Sequence, residues 1–298
     1  MLEERLGSAE GLSRLQQDIP SLPTILRHLR ELLFVEPRFL EVTTIAPCPV
    51  NCAQYCPQDK LRLAYRGVPL LSLPNFKKAL SNVPRDVAIS FAGYGEPFLN
   101  PWCKDMILHT QKEGYRIALF TTLSNITMKT WNSIKYVPFK FITIHLPDVD
   151  GITKVKITED YLSILEDLKK RRRPKVTFMS MGDIIRDVRE VLPDYQYSFV
   201  SNERGGNCRG VKLKTHYGTL SCRMLNVDST TYIMLPDCTV TLCSMDYQMR
   251  HRVGNLLETK YDELYNSPEV RRVLDSTRSP EDPYALCRTC LWAKPIHL

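Results

Sequence analysis

Ten cysteines stand in the 298-residue sequence, and seven of them fall into two groups whose spacing suits metal or redox chemistry. The first group is Cys48, Cys52 and Cys56 in IAPCPVNCAQYCPQD. The second is Cys222 and Cys243 with Cys287 and Cys290, the last two in CRTC. Structural disulfides are rare in reduced compartments, where clustered thiols bind metal or react. A structural zinc site asks for four ligands, and the first group offers three with no further Cys or His immediately beside it. Three thiolates on a [4Fe–4S] cluster leave one iron open to a substrate or cofactor. The first group therefore fits a catalytic cluster, against a zinc knuckle or incidental thiols. The second group is a full set of four, and sulfur ligation suits both iron–sulfur and zinc. Cys103 reads as a small buried apolar residue. Cys238 is an alternative ligand to Cys243, and Cys208 a looser candidate.

A frame must position these residues. Residues 1–36 read as polar helices, since SLPTILRHLRELL has apolar residues at helical spacing behind a serine and a proline. Short apolar runs follow at 38–45, 86–93, 115–122, 140–146, 175–180 and 195–201, with amphipathic stretches between them. The alternation predicts repeated strand–helix units and a parallel sheet covered by helices. Six repeats suit a partial, TIM-like α/β barrel. Such folds carry their chemistry at the carboxyl ends of the strands. The first cysteine group follows the first run, AGYGEP ends the second, TTLSN the third and HLPD the fourth, and SNERGGN follows the sixth. Beyond residue 203, TTYIMLPDCTVTLC reads as a hairpin turning at Pro236-Asp237-Cys238, and TKYDELYNSPEVRRVLDSTR as helix with Pro268 opening a second segment. The expected organisation is a helical extension over 1–36, a barrel over 37–203 and a small α+β domain over 204–298. A metal staple would support the thin core of that last domain.

With these motifs in place, the sequence resembles the radical S-adenosylmethionine (SAM) enzymes. They carry three cysteines on the loop after the first strand of a partial barrel, usually as C-x3-C-x2-C; this chain reads C-x3-C-x3-C, with Tyr55 before the third cysteine. GYGEP at 93–97 resembles the family's Gly-Gly-Glu-Pro motif, and TTLSN stands where a Thr-Asn-Gly-like strand end is frequent. HLPD departs from the usual Ser-x-Asp through His145. The resemblance implies a SAM-binding [4Fe–4S] cluster on Cys48, Cys52 and Cys56. It implies a SAM site formed by Tyr55, Gly93, Tyr94, Gly95, Glu96, Thr122, Ser124 and Asn125. Glycines permit close approach of backbone to ligand, and Glu96 supplies an acceptor for an ammonium group. The cofactor carries the hard step, reductive cleavage to a 5′-deoxyadenosyl radical, while the protein orients it. LPDCTVTLC, VGNLLE and NERGGN resemble parts of the SPASM domain in its shortened, twitch form, with Cys238 at a glycine position. That implies an auxiliary [4Fe–4S] cluster on Cys222, Cys243, Cys287 and Cys290.

The expected reaction is hydrogen-atom abstraction leading to oxidation, with the auxiliary cluster accepting an electron and Arg204 neutralising a substrate anion or assisting proton loss. Two alternatives are an isomerase acting on a nucleotide or modified base, and a zinc-binding adaptor without catalysis. The substrate is expected to be a small molecule, peptide or nucleotide, and the reductant a flavodoxin or ferredoxin. No run of eighteen apolar residues appears, so no membrane span is expected. The polar start MLEERLGSAEG leads to a cytoplasmic expectation. The net charge of +7 and the run KKRRRPK at 169–175 favour a solvated surface over nucleic-acid contact, because positive charge at a helix end complements the helix dipole.

Overall fold

The computed structural model describes residues 38–50, 52, 55–197, 203–208, 210 and 215–296. The helices expected over 1–36 lie outside the described residues. Strand β1 (Phe39–Val42) turns Leu40 and Val42 into the core beneath the helices, so Phe39 and Glu41 take the opposite face. β2 (Ala88–Phe91), β3 (Ile117–Thr121), β4 (Phe139–His145) and β5 (Lys175–Met179) follow, and all pair in parallel in the order β5-β4-β3-β2-β1. Every residue of β2 is buried, as expected of a parallel strand covered on both faces.

The connecting helices are α1 (Gln58–Ala64), α2 (Leu73–Ser81), α3 (Cys103–Lys112), α4 (Met128–Ile134), α5 (Glu159–Lys170) and α6 (Arg186–Val191). Their starts follow from the sequence. Ser72 Oγ accepts from the Asn75 amide at 3.3 Å, and Thr158 Oγ1 from the Tyr161 amide at 3.1 Å. Each such cap contributes about 1 kcal/mol relative to alanine. α5 has Glu159 and Asp160 in its first turn and Lys169 and Lys170 in its last, both matched to the helix dipole. The leading charges of KKRRRPK are engaged locally: Lys170 meets Glu166 at 3.1 Å, Arg171 meets Asp167 at 2.7 Å, and Lys169 Nζ donates to the Val191 carbonyl at 2.7 Å. Asp167 also accepts from the indole of the buried Trp131 at 2.6 Å, so this cluster ties α4 to α5.

The first five apolar runs form β1 to β5. Tyr195–Tyr197, the start of the sixth run, is irregular, and 198–201 lie outside the described residues. The Tyr195 hydroxyl meets Ser180 Oγ at 3.0 Å, and the Tyr195 carbonyl takes a guanidinium hydrogen bond from Arg189. The edge of β1 away from β2 is taken by a C-terminal strand. After β6 (Leu220–Ser221), β7 (Thr231–Met234) pairs with β1 in parallel, Phe39 opposite Thr231 and Val42 opposite Met234. β8 (Thr239–Thr241) and β9 (Arg252–Asn255) extend the sheet antiparallel, giving eight strands in one sheet. The expected hairpin turn is present, with Cys238 at φ 64°, a left-handed conformation that glycine adopts at no steric cost. α7 (Tyr261–Leu264) and α8 (Pro268–Arg278) follow, the second opened by Ser267 and Pro268. β10 (Lys294–Pro295) closes on β6. Residues 37–298 cluster as one compact unit. Among the described residues, no helix is long and apolar enough to cross a membrane.

Candidate active site and thiol centres

A cavity of about 400 Å³ is lined from the loops that follow the parallel strands. Cys48, Cys52, Tyr55 and Cys56 reach it after β1, Gly93 to Glu96 after β2, Thr121 and Thr122 from the end of β3, His145 from β4, Met179 from the end of β5 and Met181 just after it. The glycines are set by packing. A Cβ on Gly95 would stand 2.1 Å from the Ile45 carbonyl oxygen, and one on Gly93, at φ 78°, would stand 2.2 Å from Thr43 Oγ1. The GYGEP turn can therefore lie against the end of β1 only without those side chains.

Glu96 is buried and accepts at both oxygens. Oε1 takes the Thr121 hydroxyl at 2.5 Å and the Phe98 amide at 3.3 Å; Oε2 takes the Thr122 amide at 2.6 Å and the Thr122 hydroxyl at 2.7 Å. Burial pushes its pKa up, while these donors hold it down. Thr122 Oγ1 also lies 2.7 Å from Ser124 Oγ. Of the TTLSN residues, only Thr121 and Thr122 line the cavity; Ser124 stands behind Thr122, and Asn125 is exposed at φ 64°. The ring of Tyr94 carries its hydroxyl away to Thr241 Oγ1 (3.1 Å) and the carbonyls of Cys243 (2.9 Å) and Asp246 (3.2 Å), bracing the C-terminal strands against the turn.

The floor of the cavity holds charge that the motifs did not announce. Glu41 lies on the inward face of β1, and burial raises its pKa to about 7 against the pull of Arg204. An acidic residue at an inward position of the apolar run RFLEVTTI was the signal for it. Burial, then Arg204, lowers the His145 pKa to about 4, so its imidazole is neutral at physiological pH. His145 Nδ1 pairs with the Tyr55 hydroxyl at 3.2 Å. Arg204, at φ 49°, donates from Nε to the Tyr55 carbonyl at 3.2 Å and places its guanidinium over the Tyr247 ring at 5.7 Å. Gln58, buried at 1% exposure, links the three-cysteine loop to the GYGEP turn.

The four C-terminal thiols meet in a second, smaller cavity of about 30 Å³, walled by Leu225, Leu242, Met245, Val273 and Leu286. Cys222, Cys243, Cys287 and Cys290 all line it. Cys238 is buried outside both cavities, with Sγ 3.9 Å from the Asn75 carbonyl, and Cys208 and Cys103 are buried outside both as well. His251 accepts at Nε2 from the Leu286 amide (3.1 Å), so Nδ1 carries the proton toward Glu269 (2.8 Å). Arg288, between the two cysteines of CRTC, is buried and spends its donors on the carbonyls of Asp282 (3.1 Å), His216 (3.4 Å), Gly218 (2.6 Å), Ser276 (2.5 Å) and Ser279. This arginine fixes the CRTC loop to the end of α8, and no sequence motif marks it. Trp292 lines both cavities.

Burial pushes the thiols up: Cys48 and Cys290 to about 11, Cys52 and Cys287 to about 12, and Cys243 well above the ordinary thiol value. Desolvated thiols gathered in this way do not ionise by themselves; a cationic, sulfur-seeking core supplies the compensating charge and displaces their protons. Among the described residues, no three His, Cys, Asp or Glu side chains converge tightly as chelators of a single ion. The thiols line cavity walls, and soft sulfur donors in this arrangement fit iron–sulfur clusters.

Residues 222–291 match the family model described as an iron-sulfur cluster-binding domain, SPASM. No curated protein matches the sequence. Several solved structures share the fold. BtrN in complex with AdoMet and 2-DOIA aligns with a TM-score of 0.58 at 14% identity, covering 87% of this chain and 93% of that one. Native anSMEcpe with bound AdoMet aligns at 0.51 and 13% identity, over 86% and 87% of the two chains. Streptococcus suis SuiB bound to precursor peptide SuiA aligns at 0.54 and 11% identity, over 90% and 74%. The similarity to these chains is one of fold, a partial barrel with a C-terminal thiol-bearing region.

Proposed function

We propose that this chain is a radical SAM enzyme with a C-terminal SPASM-type domain, and that it oxidises a hydroxyl- or amine-bearing carbon of a compact polar substrate. The observation that carries the reading is the convergence of three thiols, the Gly93–Gly95 turn and Glu96 on one cavity at the carboxyl ends of the strands. Cys48, Cys52 and Cys56 would hold a [4Fe–4S] cluster with one iron for SAM, and Cys222, Cys243, Cys287 and Cys290 would hold an auxiliary cluster. Bound there, these groups supply a radical able to remove a hydrogen atom from carbon, and an electron acceptor for the oxidation.

The chain's own residues do the rest. The Gly93 and Gly95 backbone lets a ligand approach the turn without a side chain in the way. Four protein donors occupy the acceptor positions of Glu96. Rotation of the Thr122 hydroxyl toward Ser124 frees one position for the ammonium group of SAM. Glu41 is close to half-protonated at neutral pH, so its carboxylate accepts the proton that a substrate hydroxyl sheds as the carbon is oxidised. Arg204 keeps part of the Glu41 population ionised and fixes the Tyr55 backbone. His145, neutral, serves as a hydrogen-bond partner and not as a charge. Phe120, Met179, Met181 and Trp292 give the cavity apolar walls, and a less polar lining strengthens electrostatic contacts beside it. The BtrN structure contains 2-DOIA. A cavity of about 400 Å³ that also receives SAM leaves space for a small polar molecule or one side chain.

Anaerobic reconstitution with iron and sulfide tests the reading. About eight irons per chain are expected, with 5′-deoxyadenosine released on addition of SAM and a strong reductant. A colourless protein that binds zinc in place of iron and releases no 5′-deoxyadenosine would return the chain to the adaptor reading.

A further inference from the structure

The Cys56 thiol lies within hydrogen-bond reach of two polar side chains, Gln58 and Tyr247. Gln58 Nε2 stands 3.1 Å from Cys56 Sγ, and the Tyr247 hydroxyl stands 3.3 Å from it. The orientation of the Gln58 amide is determined by its other partners. Oε1 faces the Cys48 amide at 2.8 Å, which can only donate, and Nε2 faces the Tyr94 carbonyl at 2.8 Å, which can only accept. The NH2 group therefore points at Cys56. A phenol is protonated at neutral pH, so against a metal-bound thiolate the Tyr247 hydroxyl is a donor as well. The ring of Tyr247 is held edge-on against Tyr94 at 4.7 Å, and the Tyr94 hydroxyl is anchored on the Cys243 carbonyl at 2.9 Å. Tyr247 thus reaches the barrel thiol from the C-terminal region, and its position is tied to the turn that carries one of the four C-terminal cysteines.

We infer that Gln58 and Tyr247 are positioning residues that hydrogen-bond the Cys56 thiolate and raise the reduction potential of the cluster at Cys48, Cys52 and Cys56. The inference rests on the cluster reading given above. Its physical basis is general: reduction adds negative charge to a cluster, donors to its sulfurs stabilise that charge, and hydrogen bonds to sulfur are among the determinants of the potential. Cys56 receives this stabilisation from two different parts of the chain, one next to it in sequence and one 191 residues away.

The test is an anaerobic redox titration of the reconstituted full chain, followed by electron paramagnetic resonance of the signal that changes when SAM is added. Tyr247→Phe keeps the ring against Tyr94 and removes only the hydroxyl. The expected result is unchanged iron content and a roughly tenfold smaller equilibrium constant for one-electron reduction, a shift of about 59 mV to lower potential. Gln58→Leu shifts the same signal in the same direction, and the double variant shifts it further. A Tyr247→Phe protein with full iron content and the wild-type potential overturns the inference while leaving the cluster reading intact. A wild-type chain that binds no iron at the three-thiol site overturns the cluster reading and this inference with it.

Discussion

Glu41 offers a prediction in which stability and catalysis move in opposite directions. Its carboxyl sits on the inward face of β1, and burial raises its pKa from 4.5 to about 7. An acid whose folded pKa exceeds its unfolded pKa binds more protons when folded throughout the interval between the two. The stability of the fold therefore falls as pH rises from about 4.5 to about 7, and levels off above. The gap of about 2.5 pH units, at about 1.36 kcal/mol for each, amounts to roughly 3 kcal/mol. Glu41→Gln removes the ionisable group and keeps the shape. Urea denaturation of the metal-free chain at pH 8 is expected to show the variant more stable by up to about 3 kcal/mol, with the advantage shrinking toward zero near pH 5. Turnover of the loaded variant is expected to fall, because the amide cannot take up a proton. A variant no more stable than the parent at pH 8, or equally favoured at pH 5 and pH 8, would show that Glu41 carries no buried charge and would remove the argument for it as a base.

Cys56→Ala is expected to abolish 5′-deoxyadenosine release and to leave about four irons per chain at the C-terminal centre; surviving SAM cleavage would show the ligand set to be wrong. Gly95→Ala places a methyl group where the Ile45 carbonyl oxygen stands 2.1 Å away, so calorimetry is expected to show a loss of about 1–3 kcal/mol together with weakened SAM binding. Arg288→Met strands five backbone carbonyls that a single guanidinium now satisfies. It is expected to cost about 3 kcal/mol or more and to halve the iron content while SAM cleavage at the barrel persists. Arg288→Lys is expected to rescue little, since an ammonium cannot reproduce the planar fork of donors.

The parallel strands were legible because their cause is local: Val-, Ile- and Phe-rich runs alternate with amphipathic stretches, and β1 to β5 form within two or three residues of the apolar runs. The pairing of β7 with β1 was not legible, because it joins residue for residue two parts of the chain about 190 residues apart, and no local periodicity reports such a partner. The hairpin turn at Pro236-Asp237-Cys238 was legible, and the structure adds the left-handed conformation of Cys238.

The chemistry of the site divides in the same way. By itself the sequence determined which residue types could bind metal and how they are grouped: three thiols after the first strand, GYGEP after the second, and four thiols beyond the barrel. Those properties belong to side chains and their spacing. Tertiary structure alone decided that Cys222, Cys243, Cys287 and Cys290 line one cavity while Cys208 and Cys238 do not, and that Ser124 and Asn125 stand outside the cavity that Thr122 lines. It decided the surroundings of Glu41, Gln58, Tyr247 and Arg288, which are ordinary letters in the sequence. A carboxyl becomes a base when it is desolvated, and an amide or phenol becomes a ligand's partner when it is brought within hydrogen-bond reach. Both conditions depend on neighbours that are distant along the chain, as Cys56 and Tyr247 are by 191 residues.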